Sequence, residues 1–295
     1  MDIQSFLIGL QAGKNAGGDT GGDTGGGLLP AGAYWEILDI RRVGSYGQRF
    51  VNFNGELFAM YDNYSGSASF VSIHKYSENT GTWTKVSDSP YTTWNNSYSL
   101  CCVEHNGKLH FTGGETKVHI VFDGSTLTRL TDLPNYVAYA SSFVQNDTLK
   151  TYSYYDGKVY AWDEATDTWT EEAVIGSKYE YREFYNVNGT VYSLMQKKLY
   201  SYTNGVLTQV NQLSESVKTT FGISIGNCLY LVESKYNYPS RLIKYDAGAN
   251  QISYVGLITA ENASFFVRDG SLACVAFNKD GYITPMKLHA IESTE

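Results

Sequence analysis

Cysteine is scarce in this chain, basic residues are outnumbered and no long apolar run occurs, and each shortage removes a class of protein. Cys101, Cys102, Cys228 and Cys274 are the four thiols in 295 residues. With no CxxC pair and no Cys/His zinc spacing, they fit neither a disulfide framework nor a zinc module, and four reduced structural thiols are expected. Lys and Arg total 22 against 30 Asp and Glu, a net charge of −8, which is not the basic footprint that nucleic acid or an anionic membrane requires. No window approaches the ~18 apolar residues of a membrane-spanning helix. The opening MDIQSFLIGLQAGK puts Asp2 first and its first cation, Lys14, after the apolar residues, which is the wrong order for an export signal.

Catalytic groupings are equally sparse. His74, His105, His110, His119 and His289 fall on different strands without HExxH spacing, so they are expected to be satisfied structural residues and not metal ligands. Asp163 and Glu164 point to opposite faces of an extended segment or sit in a turn, so they form no catalytic dyad. No catalytic residue, metal site or cofactor is expected, and the chain is read as a binding protein without enzymatic activity.

Tyrosine is what the chain has in excess, 25 of them beside only 5 Pro. Tyr is a strand former with a polar tip, so the fold class is all-β. The 42% apolar content is enough to bury a sizeable core.

A repeat organises the strands. YSENTGTWTK from Tyr76 aligns without a gap with WDEATDTWTE from Trp162, placing Trp83 opposite Trp169. FDGSTLTRL, YTNGVLTQV and YDAGANQISY are weaker copies, with Leu127, Leu207 and Ile252 at the tryptophan position. A second anchor lies upstream in each unit: FNGELFAM, HNGKLHFTGG, QNDTLKTYS, VNGTVYSLM, IGNCLYLV and RDGSLACVAF. Asn-Gly and Asp-Gly pairs mark two-residue hairpins because both central residues need positive φ. About four short strands per unit of roughly 43 residues is the pattern of propeller blades.

The unit resembles the kelch repeat: a hydrophobic strand, an Asn-Gly turn, KLHFTGG with Gly113 and Gly114, then Tyr-Asp-x-x-Thr-x-x-Trp. The resemblance covers residues 34–293 and implies a divergent kelch-like six-bladed β-propeller. The last unit ends at KLHAIESTE without a Trp-type strand, while AYWEILDI near the other end carries that pattern without a hairpin. Strand 34–38 is therefore expected to close the last blade and remove open edges. The domain spans 33–295. The Ser-Gly-Thr-Trp string in YSENTGTWTK is also similar to the Asp-box of sialidases, but Asn79 stands where Asp is wanted and no cluster of three arginines is visible. It is read as a turn between third and fourth strands, with Trp83 packing between blades.

Residues 1–32 follow other rules. Ile3, Phe6, Leu7 and Leu10 recur at helical spacing, with Asp2 as N-cap and Gly13 as stop. An amphipathic helix over 1–15 is expected, too short to be stable alone, so those four residues are candidate attachment contacts. Residues 16–32, with GGDTGGDTGGG, form a flexible linker. The layout of anchor, tether and Tyr-rich propeller resembles virion proteins of tailed bacteriophages, and the opening residues are similar to structural proteins (tail or head-fibre type) of phages of Gram-positive gut bacteria. That implies localisation on a virion, with other virion proteins as partners through the helix and possible self-association through the leader.

In a four-stranded blade the two-to-three loops and the connections between blades share one face. There YDNYSGSAS, SKYNYPSR, YTTWNNSYS, PNYVAYAS and KYEYREF concentrate aromatic residues. Tyr61, Tyr64, Tyr91, Trp94, Tyr236 and Tyr238, beside Asn95, Asn96 and Arg241, are the candidate ligand-binding residues. Stacking faces beside amides suit a host-surface glycan or polymer. Tyr139 and Tyr181 are expected to pack between blades. A kelch-type interaction module and a glycoside-acting enzyme such as a sialidase are the alternatives.

Overall fold

The computed structural model describes residues 34–37, 49–65, 68–77, 79–80, 82–89, 100–113, 117–137, 141–213, 222–233, 240–258, 262–268, 271–277 and 283–289. The expected helix (1–15) and linker (16–32) lie outside them. Among the described residues there is no helix, and so none long and apolar enough to cross a membrane.

The first described element is β1 (Tyr34–Ile37). Five blades then follow, each an antiparallel meander of four consecutive strands. The first holds β2 (Arg49–Phe53), β3 (Glu56–Ser65), β4 (Ala68–Ser77) and β5 (Thr82–Asp88). The second holds β6 (Leu100–His105), β7 (Lys108–Gly113), β8 (Ile120–Phe122) and β9 (Leu127–Arg129). The third holds β10 (Ser141–Gln145), β11 (Thr148–Ser153), β12 (Lys158–Asp163) and β13 (Thr168–Val174). The fourth holds β14 (Glu183–Val187), β15 (Thr190–Met195), β16 (Lys198–Thr203) and β17 (Val206–Gln212). The fifth holds β18 (Ile223–Ile225), β19 (Cys228–Glu233), β20 (Ser240–Asp246) and β21 (Gln251–Ile258).

Contiguous blades thus number five where six units were expected. The remaining strands, β22 (Asn262–Arg268), β23 (Ser271–Phe277) and β24 (Ile283–His289), form a composite sheet of order β1-β24-β23-β22. In it Tyr34 is paired with His289 and Ile37 with Met286. The first strand of each contiguous blade is its innermost: β6, β10, β14 and β18 are neighbours in turn, and β22 of the composite sheet touches both β18 and β2. The architecture is a β-propeller.

Turn chemistry dictates these strands. Positive φ is found at Asn54 and Gly55, Asn106 and Gly107, Asn146 and Asp147, and Asn188 and Gly189, with Gly226 in the fifth blade, as two-residue hairpins demand. The turn at 269–270 lies outside the described residues. At the far end of each blade the repeat anchors meet aromatic partners across the ladder: Trp83 with Tyr76, Leu127 with Phe122, Trp169 with Trp162, Leu207 with Tyr202 and Ile252 with Tyr245. Asp123, Asp163 and Asp246 each accept backbone N–H bonds from that turn at 2.8–3.1 Å. A bulge recurs between third and fourth strands in four blades, at Ile73/His74, Val159/Tyr160, Leu199/Tyr200 and Leu242/Ile243, which increases the twist of the outer strand.

The core lies between blades, since a single sheet has two apolar faces to cover. Phe53, Phe58 and Ile73 pack on Phe111 and Phe122 between the first two blades. Leu149 and Trp169 pack on Leu133 and Val137 between the next two. Phe143 stacks on Phe184 with centroids 4.5 Å apart, and Leu199 packs on Leu229 and Leu231. Trp83, expected between blades, is half-buried and lies 5.1 Å from Tyr76 of its own blade.

Candidate binding face

First and third strands run away from one face of the ring, the upper face, so connections between second and third strands and between blades lie there. Three such connections bring four tyrosines together: Tyr136 after β9, Tyr154 and Tyr155 in the β11–β12 turn, and Tyr179 before β14. Tyr155 is central, with ring centroids 6.4 Å from Tyr136, 5.7 Å from Tyr154 and 6.0 Å from Tyr179. Tyr154 and Tyr179 are 5.6 Å apart. Tyr136 and Tyr179 are 53% and 63% exposed, more than packing alone explains for such large rings.

The backbone beneath is locked. Tyr179 N–H donates to Tyr154 C=O at 2.7 Å, and the N–H groups of Ile175 and Gly176 donate to Gly157 C=O at 3.0 and 3.1 Å. Gly157 is required twice over: its φ is +71°, and a Cβ there would lie 2.2 Å from Gly176 O. Tyr179 itself has φ 65°, a left-handed conformation that costs a residue with a Cβ roughly 1–2 kcal/mol. The hydrogen bond to Tyr154 offsets part of that cost.

Charge surrounds the rings. Asp156, in the same turn as Tyr155, accepts from Asn135 Nδ2 at 2.9 Å, Tyr160 Oη at 2.5 Å and Lys158 N–H at 3.2 Å. Burial pushes its pKa up, but the hydrogen bonds from Asn135 and Tyr160 outweigh that and hold it below the usual carboxylate range, so it is ionised at neutral pH. Glu180 pairs with Arg182, whose guanidinium lies 5.6 Å from the Tyr200 ring. Lys117 Nζ donates to Pro134 C=O at 2.9 Å and sits 5.5 Å from the Tyr136 centroid, a cation already on an aromatic ring.

An axial cavity of about 320 Å³ lies along the inner strands of blades two to five and is lined by Cys102, Ser142, Phe143, Tyr185, Asn186 and Gly222 among others. Side chains stitch its wall: Asn186 Nδ2 donates to Val144 C=O at 2.9 Å, Phe184 N–H to Ser141 Oγ at 2.6 Å, and Ser142 N–H to Cys101 Sγ at 3.1 Å. Beside the cavity, buried Glu183 accepts from Tyr181 Oη at 2.5 Å and from Tyr185 Oη. Burial, and next the Glu183 charge, push the Tyr185 phenol well above its ordinary pKa, so Tyr185 is a hydrogen-bond donor and not a phenolate.

Three of the five histidines, expected on different strands, are gathered in blade two, while His74 and His289 lie in other sheets. His110 on β7 and His119 immediately before β8 of blade two have Nδ1 and Nε2 3.0 Å apart. Trp162 of blade three lies 5.1 Å from both rings, Trp169 lies 5.1 Å from His119, and His105 lies 5.8 Å from His110. Burial, reinforced by the neighbouring histidine in each case, lowers His110 to about 4 and His119 to about 3. Among the described residues no group of three or more His, Cys, Asp or Glu is placed to hold a metal. Cys101, Cys102 and Cys228 are not joined in disulfides.

Of the residues singled out in the sequence, Tyr61 and Tyr64 are strand residues and not loop residues: β3 runs to Ser65, and they pair with Ser72 and Ser69 of β4. The hairpin is longer than its Ser-Gly-Ser centre implies, because the ladder continues to the pairing of Ser65 with Ala68. Arg241 likewise lies within β20, paired with Glu233. Tyr91, Trp94, Asn95, Asn96, Tyr236, Tyr238 and Tyr139 lie outside the described residues, as do Ile3, Phe6, Leu7 and Leu10. Tyr136 and Tyr179 lie in the aromatic loops PNYVAYAS and KYEYREF noted in the sequence, without being picked out as ligand-binding residues, whereas Tyr154 and Tyr155 were missed although the Tyr-Tyr-Asp-Gly run at 154–157 is an aromatic turn on the face the topology favours.

No protein-family model and no curated protein matches the chain in sequence. Solved structures do match in shape. "Structure of YjhT" superposes with a TM-score of 0.64 at 10% identity, covering 88% of this chain and 99% of that one. "Streptogramin B lyase structure" gives 0.57 at 13% identity, covering 87% and 98%. At these identities the likeness shows a shared propeller fold alone.

Proposed function

We propose that this chain is a binding protein whose propeller displays an adhesive upper face. The single observation behind this reading is the four-tyrosine platform, held on a locked backbone with two of its rings more than half exposed. Such rings offer stacking area at low entropic cost. In the fuller reading the composite sheet serves as the sixth blade of a divergent kelch-like ring. The leader mounts it on a bacteriophage particle through Ile3, Phe6, Leu7 and Leu10, and the upper face adheres to a host-surface glycan or related polymer without chemical turnover. Tyr91, Trp94, Tyr236 and the adjoining amides extend the face. Weak single sites suffice when many copies act together.

The test is binding of the propeller, monomeric and clustered on beads, to glycan arrays and whole cells. The clustered form should bind, and Tyr155→Ala with Tyr179→Ala should abolish it while leaving the circular dichroism spectrum unchanged. Undiminished binding by that variant would remove the platform from the function.

One observation favours a second reading, a glycoside-acting enzyme: the Glu183 carboxylate carries two phenols beside the axial cavity. Turnover of fluorogenic glycosides, lost in Glu183→Gln, is the outcome that would establish it.

A further inference from the structure

The platform also has the geometry of a box corner. Tyr154, Tyr155 and Tyr179 are mutually steep, with interplanar angles of 75°, 77° and 64°. Three perpendicular walls equidistant from one point have centroids separated by that distance times √2. Separations of 5.6–6.0 Å match a corner whose centre lies roughly 4 Å from each ring, inside the range over which a cation is attracted to an aromatic face. Tyr136 stands beside Tyr155 as a further wall at 73°. The ionised Asp156 stands in the same turn as Tyr155, and Lys117 already lies on the neighbouring Tyr136 ring.

We infer that Tyr154, Tyr155 and Tyr179 form an aromatic cage for a methylated ammonium group, as on a choline-type substituent of a cell-surface glycopolymer. This rests on the upper face being the binding face and names the group it takes. A quaternary ammonium suits the corner better than a bare amine. Its methyl groups fill the space between rings while its diffuse charge, weakly hydrated, is given up by water at little cost. The polymer is preferred to a lipid headgroup because the exposed large apolar side chains beside these loops, among the described residues, are Tyr136, Tyr179 and one valine, Val174 at the end of β13, which is too little aliphatic surface to enter a bilayer.

The full chain is titrated calorimetrically with phosphocholine and with tetramethylammonium chloride at constant ionic strength, and with 3,3-dimethylbutan-1-ol, the uncharged isostere of choline. The two cations should bind at least 10-fold more tightly than the alcohol. Tyr155→Phe should keep the affinity, since the ring and not the hydroxyl acts, whereas Tyr155→Leu and Tyr179→Leu should each lose 10-fold or more with unchanged melting temperature. Equal affinity for the alcohol, or retention in both leucine variants, overturns the cage. If the cations fail but cells or glycans are still bound through Tyr179, the cage is wrong and the binding face stands; if neither binds, both fail. Binding to phosphatidylcholine vesicles without binding to free phosphocholine also overturns it.

Discussion

The buried histidine pair makes the propeller acid-sensitive well above the range where its carboxylates titrate. His110 and His119 are held neutral in the folded state at about 4 and about 3, against 6.5 when unfolded. The stability they confer is fully present above the unfolded value and is lost as pH falls, because the unfolded chain takes up protons that the folded chain refuses. Between pH 7.5 and 5 each contributes a loss of about 2 kcal/mol, about 4 kcal/mol together. In a chain of this size that corresponds to a melting point lower by roughly 6 °C. His105, Lys108, Glu164 and Asp167 surround the pair, and the hydrogen bond from Asn106 holds Glu164 below the usual carboxylate range, so it stays ionised across this window. The assay is calorimetry at both pH values on the wild type and on His110→Phe/His119→Phe, which replaces both partners of the 3.0 Å contact by apolar rings. Wild type should show the drop and the double variant should lose most of it. An equal drop in both would refute the assignment to this pair, and no drop in the wild type would refute the burial of two neutral imidazoles.

Gly157→Ala places a Cβ against Gly176 O; it should cost more than about 1 kcal/mol and weaken any platform ligand with it, both measured on one sample by melting and titration. Lys150, buried between blades three and four, pairs with Glu172 at 2.7 Å beside Gln145 and Tyr202. Lys150→Ala should cost about 3–5 kcal/mol in urea unfolding, whereas Lys150→Met/Glu172→Leu should be close to neutral. Removing residues 1–32 should leave the melting curve unchanged, whereas removing 1–40 takes away β1 and exposes β24, giving aggregation by light scattering; identical behaviour of the two would contradict the pairing of Tyr34 with His289. Phe6→Asp/Leu7→Asp should release the protein from its assembly without lowering the melting temperature, and unchanged assembly would remove the anchor.

Much of the ladder was readable because its determinants are local. An Asn-Gly pair states its own φ requirement, so Asn54–Gly55 and Asn188–Gly189 declare hairpins before any packing is known. Aligning Trp83 with Trp169 was sound because each occupies the same register opposite Tyr76 or Trp162. The platform was not legible in the same way. Tyr136, Tyr155 and Tyr179 come from three separate connections, and what assembles them is a backbone contact between Gly157 and Gly176 that no periodicity encodes. The histidine pair escaped for a related reason: His110 and His119 are nine residues apart across a hairpin, a spacing with no motif, and become neighbours only through strand pairing. Tyr61 and Tyr64 show the opposite error, since a Ser-Gly-Ser centre read as a broad loop is the tip of a long ladder.

The composite sheet joins Tyr34–Ile37 to Met286–His289, which sets when the molecule can be completed. Joining segments some 250 residues apart costs about 5 kcal/mol of chain entropy, recovered only when the intervening sheets already hold the two ends close. During synthesis β1 must wait for β24 for about 12–50 s at ordinary elongation rates. Over that interval each nascent chain carries a strand without its ladder. A finished neighbour with an unfilled β24 edge is an equally good partner for it, so crowded polysomes would favour exchange of β1 between copies, giving swapped rings linked in pairs.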